Sequence, residues 1–157
     1  MLQQISLIYK LNNGVVARTL DGLSDEVIWQ SPPGGGNPIG WILGHVAEYR
    51  TVLLGVLGSP LQTEWPARLF ARGSVRGDRG VYPTRASIES TWTATHAAMR
   101  DAFAQVTPER LSAPATIELA GVRTLADQIA FGAFHEAYHV GQMGYVRRQL
   151  GHSAVVG

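Results

Sequence analysis

The side chains best suited to chemistry in this chain are histidines, and two of them stand four residues apart near its end. They lie in the stretch from Thr124 to Gly151, TLADQIAFGAFHEAYHVGQMGYVRRQLG. On a helix, at about 100° per residue, His135 and His139 project roughly 40° apart, one turn above the other. Gln128, Phe131, Gln142 and Val146 fall on the same narrow stripe. Two imidazoles so placed can bind one metal ion from the same side, and they leave it at least one ligand short. A third candidate lies upstream in WILGHVAEYR. There His45 shares a helical face with Trp41, Ile42, Tyr49, Val52 and Val56, which reads as an inward stripe. An imidazole in such company needs a partner, or its unmet hydrogen bond costs on the order of 1–3 kcal/mol. For any one ring a core hydrogen bond is explanation enough. For three, a shared divalent ion is the economical solution, because neutral imidazole is the commonest protein nitrogen ligand. His96 falls towards the polar side of another helix, and His152 lies past the last one.

The run from His135 to His139 also matches HExxH, the zinc-protease pattern whose glutamate acts as general base. The extended form of that pattern needs Gly where this chain has Gln142 and His where it has Tyr145. The form with a downstream acidic ligand fails as well, since no Asp or Glu follows Glu136. Glu136 itself points about 100° away from the His135 stripe. The chemistry expected is therefore not peptide hydrolysis.

These side chains must be positioned by helices. Apolar residues from Leu2 to Leu20 recur at near-helical spacing and predict a first helix. A loop follows, with a short turn capped by Ser24, and it ends in SPPGGGNPIG. Asn37-Pro38 reads as a cap followed by proline at the first helical position, starting a second helix that runs to about Leu57. Residues 58–83 form a long Gly-, Pro- and Arg-rich connection. Arg68, Arg72, Arg76, Arg79 and Arg85 gather around it, as a solvated loop or as a rim attracting an anionic ligand. Thr84 caps a third helix, from Arg85 to about Val106. A connection with a short extended piece, TIELAGV, leads to the fourth helix, where Thr124 and Asp127 make a capping-box-like start. Arg147 and Arg148 suit its last turn, and Gly151 suits the left-handed position beyond it. Four helices, two long connections and no convincing sheet predict an all-α four-helix bundle, one domain over 1–157.

Composition narrows the function classes. With 45% hydrophobic residues in 157, the chain has enough apolar material for a real core. A formal net charge of +1 gives no field drawing it to nucleic acid or to an anionic membrane. There is no cysteine, so disulfides, thiolate metal sites and a cysteine nucleophile are excluded. No run of 18 or so apolar residues suggests a membrane span, and the opening residues do not read as a signal peptide. The expectation is a soluble, cytoplasmic protein.

With Trp41-x-x-Gly44-His45 in the second helix and His135-x-x-x-His139-x-x-Gln142 in the last, the chain resembles the DinB-like superfamily over nearly its whole length. The resemblance implies an up-down-down-up four-helix bundle, commonly a homodimer. It also implies a divalent metal, often nickel or zinc, bound by one histidine of the second helix and two of the fourth. Those roles fall on His45, His135 and His139, the three reached from the stripes. Relatives characterised as enzymes are thiol-dependent transferases and isomerases, using low-molecular-weight thiols on small-molecule substrates; others are known as stress- or damage-inducible proteins. Any thiol here would be external. Gln142, one turn beyond His139, is placed to orient an imidazole or the bound water, or equally to pair with backbone or another helix; Glu48 is placed to accept the far N–H of a ligand histidine, or equally to stand solvated on its helix. Trp41, Tyr49, Phe131 and Tyr138 are candidates for pocket walls. An enzyme of this kind needs an open coordination position inside a pocket. A non-catalytic metal-binding stress protein would instead have a site closed by a fourth ligand, His96 or Glu48, or no pocket.

Overall fold

The computed structural model describes residues 2–71, 73 and 77–155; Arg72 and Arg76 of the arginine cluster lie outside the described residues. Four long helices make up most of it: α1 (Leu2–Leu20), α3 (Ile39–Val56), α4 (Arg85–Gln105) and α6 (Leu125–Gln149). Shorter elements connect them: α2 (Asp25–Ile28), a 3-10 turn (Arg79–Val81), α5 (Pro108–Leu111), and the strands β1 (Pro114–Leu119) and β2 (Val122–Thr124). The helix starts follow from their caps. Ser24, Thr84, Thr107 and Thr124 each accept a hydrogen bond from a backbone N–H two or three positions into the following helix. At Thr124 the box is complete, since the Asp127 carboxylate accepts from the Thr124 N–H in return. At the other end of α6, Gly151 takes φ +87°, a conformation that favours glycine.

Three expectations need correction. The N-cap of α3 is Pro38, with no side-chain cap bond, so Asn37 does not play that part. TIELAGV is not a lone extended piece: β1 and β2 pair as an antiparallel two-stranded hairpin. Its partner lies in α6, where the buried Gln128 amide accepts from the Thr116 backbone N–H. Val52, placed on the inward stripe, is 53% exposed, because α3 turns only part of that face to the interior.

Helix α1 packs on α4 and α6, and α3 packs on the same two helices. One part of the core gathers Ile42, Val46, Trp65, Phe70, Trp92, Val140 and Met143, and the other gathers Ile5, Tyr9, Leu53, Leu54, Phe103, Leu125 and Ile129. Two arginines close the C-terminal end of α1. Arg147 donates to the Thr19 and Asp21 carbonyls, and Arg85 to those of Leu20 and Leu23. Cations there suit the negative end of the helix dipole and bind carbonyls of its last turn and of the turn that follows. Among the described residues, no helix is long and apolar enough to cross a membrane.

Between α3 and α6 lies the one fully buried ion pair among the described residues. Arg50 and Glu136 are paired through Nε–Oε2 at 2.6 Å and Nη2–Oε1 at 2.8 Å, with side chains 1% and 2% exposed. Asn12 of α1 donates to the same carboxylate at 3.0 Å. The guanidinium lies 3.4 Å from the Trp92 ring centroid of α4 and 5.6 Å from that of Tyr9. One polar knot therefore ties all four long helices.

Candidate metal centre

His45 stands on α3, and His135 and His139 one turn apart on α6. Their ligand atoms all lie within 4.8 Å of one another, so the three can hold a metal ion. His45 Nε2 and His135 Nε2 are 3.1 Å apart. Two nitrogens each about 2.0–2.1 Å from one ion, at angles between about 90° and 110°, stand roughly 2.8–3.4 Å apart, and the pair fits that range.

Two of the rings are held from behind. His45 Nδ1 donates to the Phe70 carbonyl at 2.7 Å. A carbonyl can only accept, so the proton sits on Nδ1 and Nε2 keeps its lone pair. His139 Nδ1 is 2.7 Å from Gln142 Oε1, which fixes that ring the same way. His135 has no such support: its Nδ1 is buried without a hydrogen-bond partner, and the Tyr49 ring lies 4.6 Å from its own. With His45 Nε2 left as an acceptor, a proton on His135 Nε2 donates to it at 3.1 Å, and His135 Nδ1 stays an unpartnered acceptor. A cation can take that proton's place and draw both Nε2 lone pairs to one centre. The donor set therefore fits a divalent ion with a preference for nitrogen.

Burial keeps the rings neutral, the form that binds metal. It pushes His45 below its ordinary value, against the pull of the Phe70 carbonyl. It pushes His135 down to about 4, helped by charge on His139 and His45. His139 is lowered too, mainly by burial, with Gln142 opposing.

The Trp-x-x-Gly-His segment now has a physical reason. A Cβ on Gly44 would stand 2.7 Å from Phe70 Cδ1 and nearer still to two further ring carbons. Glycine lets the Phe70 ring lie directly on α3, fully buried, and that seats its carbonyl against His45 one residue on. The 58–83 connection is thus no solvated loop throughout: Trp65 and Phe70 are core residues. Nothing in the sequence marked Phe70 as a partner of His45, although an aromatic residue in so polar a stretch was a signal.

A cleft of about 460 Å³ opens on the three histidines, lined also by Asn37, Trp41, Phe131, Phe134, Tyr138 and Gln142. Trp41 stacks on His45 at 5.3 Å with planes 11° apart. Tyr49 packs against His135 outside the cleft lining, with its hydroxyl buried and its pKa pushed up to about 12 by burial. Glu48 reaches none of the ring nitrogens. Burial raises its pKa, and the backbone N–H groups of Arg68, Leu69 and Phe70 counteract that. His96 lines a separate cavity with Ser6, Lys10 and Arg100. Among the described residues, neither Glu48 nor His96 joins the histidine cluster. Glu136, the glutamate of the HExxH match, is spent on Arg50 and Asn12.

Comparison with solved structures finds the same fold in a crystal structure described as the conserved protein of locus from Enterococcus faecalis. It has a TM-score of 0.75 at 14% identity, with 96% of each chain covered. Among curated proteins there is no significant match. The family model for the DinB superfamily matches residues 10–143, and the chain belongs to that superfamily.

Proposed function

We propose that this chain binds one divalent cation, nickel or zinc, through His45, His135 and His139, and acts with it on a small molecule. The reaction class is thiol-dependent S-transfer or isomerisation, or hydrolysis. The observation that carries this reading is the cleft of about 460 Å³ opening on three imidazoles, with no fourth protein ligand in the cluster among the described residues. Catalytic sites keep such a position open, and structural sites close it. A cation bound there supplies Lewis acidity, which holds a thiol as thiolate, acidifies water or polarises a carbonyl. The protein's share is orientation and charge. Phe70 and Gln142 fix the two rings that frame the site. Three neutral imidazoles leave the dipositive charge uncompensated, which favours an anionic ligand. A thiol, having no cysteine to draw on, comes from outside the chain.

We further infer the up-down-down-up bundle of the family and pairing with a second copy. Leu7 and Leu11, one turn apart on α1 and 53% and 58% exposed, offer an apolar face for that. The function is tested by loading the protein with nickel or zinc and screening low-molecular-weight thiols against small electrophiles, with products read by mass spectrometry. Turnover that disappears on metal removal and in His139→Ala is expected. Equal turnover in the metal-free protein or in that variant refutes the assignment. A metal-loaded protein inert across the screen favours the non-catalytic, stress-response reading instead.

A further inference from the structure

Four aromatic rings line the cleft beside the histidines, Trp41 from α3 and Phe131, Phe134 and Tyr138 from α6. The α6 rings form a ladder: Phe131 and Phe134 lie 6.4 Å apart, and Phe134 stacks on Tyr138 at 6.5 Å and 29°. Phe134 is 66% exposed and Tyr138 56%. Large rings left in water at the mouth of a cavity mark a surface that something apolar covers. Among the described residues, no Lys, Arg, Asp or Glu lines the cleft. Of the arginines around the 58–83 connection, two are engaged elsewhere. Arg79 lies over the Trp29 ring and donates to the Tyr82 and Pro83 carbonyls, and Arg85 caps α1. The volume falls within the roughly 300–1,000 Å³ usual for small-ligand sites.

Resting on the metal-site reading above, we propose that the cleft takes a flat aromatic molecule. One ring packs against the aromatic lining that Trp41, Phe134 and Tyr138 share, and a single anionic donor reaches the cation held by the three histidines. Specificity then comes from ring burial, with the ligand's one charge offsetting part of the cation's.

The test compares benzohydroxamate with acetohydroxamate, which carry the same metal-binding head, on the zinc-loaded protein by calorimetry. Burying a phenyl ring should make the first tighter by roughly tenfold or more. Phe134→Ala and Tyr138→Ala change exposed residues, so the fold persists. Each should cut the preference at least about threefold, lowering benzohydroxamate affinity more than acetohydroxamate affinity. Equal affinity for the two compounds, or a preference that neither variant moves, overturns the proposal. A change in oligomeric state without a change in preference overturns it too, marking the rings as a protein interface. Should neither hydroxamate bind, the metal-site reading fails. The cleft is then judged alone, by saturation-transfer NMR of benzyl alcohol with the metal-free protein. Contact that disappears in Phe134→Ala/Tyr138→Ala supports an aromatic ligand, and no contact refutes it.

Discussion

Replacing Glu136 by glutamine tests whether the buried ion pair, and no protease-like base, is what the HExxH match encodes. The substitution keeps shape and one acceptor but removes the one acidic partner that the described residues give Arg50, whose side chain is 1% exposed. Breaking a buried pair from one side costs about 3–5 kcal/mol, because the remaining charge is stranded away from water. Two features soften this. The amide oxygen still accepts from Arg50, and the Trp92 ring, 3.4 Å from the guanidinium, contributes ~2 kcal/mol of cation–π attraction when desolvated. The net loss should be about 1–3 kcal/mol, or a fall in Tm of roughly 2–12 °C for a chain of this size. Urea unfolding of the metal-free protein, followed by circular dichroism, measures it, with the slope m unchanged. Arg50→Met combined with Glu136→Leu should be milder than either single change, since no charge is left stranded. A loss under about 1 kcal/mol in Glu136→Gln, or strict additivity in the double variant, refutes the account of the knot.

Gln142→Ala removes the acceptor behind His139 and should weaken metal affinity by roughly tenfold, measured by competition with a chromogenic chelator. Gly44→Ala should lower stability and metal affinity together, because Phe70 cannot move off α3 without taking its carbonyl from His45. The metal-free protein should lose stability as pH falls from about 6.5 to about 4. In that window the unfolded chain binds protons that the folded chain, with His135 lowered to about 4, declines, so stability rises with pH; urea midpoints across the range check this, and His135→Asn should flatten the slope. Light scattering should read a pair for the parent and a folded monomer for Leu7→Glu with Leu11→Glu.

What the sequence disclosed divides along a physical line. Local rules were readable: the caps at Ser24, Thr84 and Thr124 and the glycine turn at Gly151 depend on neighbours within a few positions. The i and i+4 stripe likewise put His135 and His139 on one face. That His45 joins them follows from the packing of α3 on α6, which its apolar face suggested without fixing a distance. Contacts between distant segments stayed hidden. Arg50 and Glu136 are 86 positions apart, and nothing about either alone named the other. The hairpin was missed because a six-residue and a three-residue strand carry too little alternation to stand out. Asn37-Pro38 misled because the strand-like backbone of Pro38 already starts the helix.

The carbonyl of Phe70 carries a lesson about the connection that looks most dispensable. A chain segment without regular structure invites trimming, in evolution or by design, yet one peptide group within it decides which nitrogen of a distant ring is free. Trp65 and Phe70, both buried, bracket that anchor, so a one-residue slip between them should turn the carbonyl away from His45. A homologue that retains all three rings but has altered spacing there would look competent on paper and handle its ion differently.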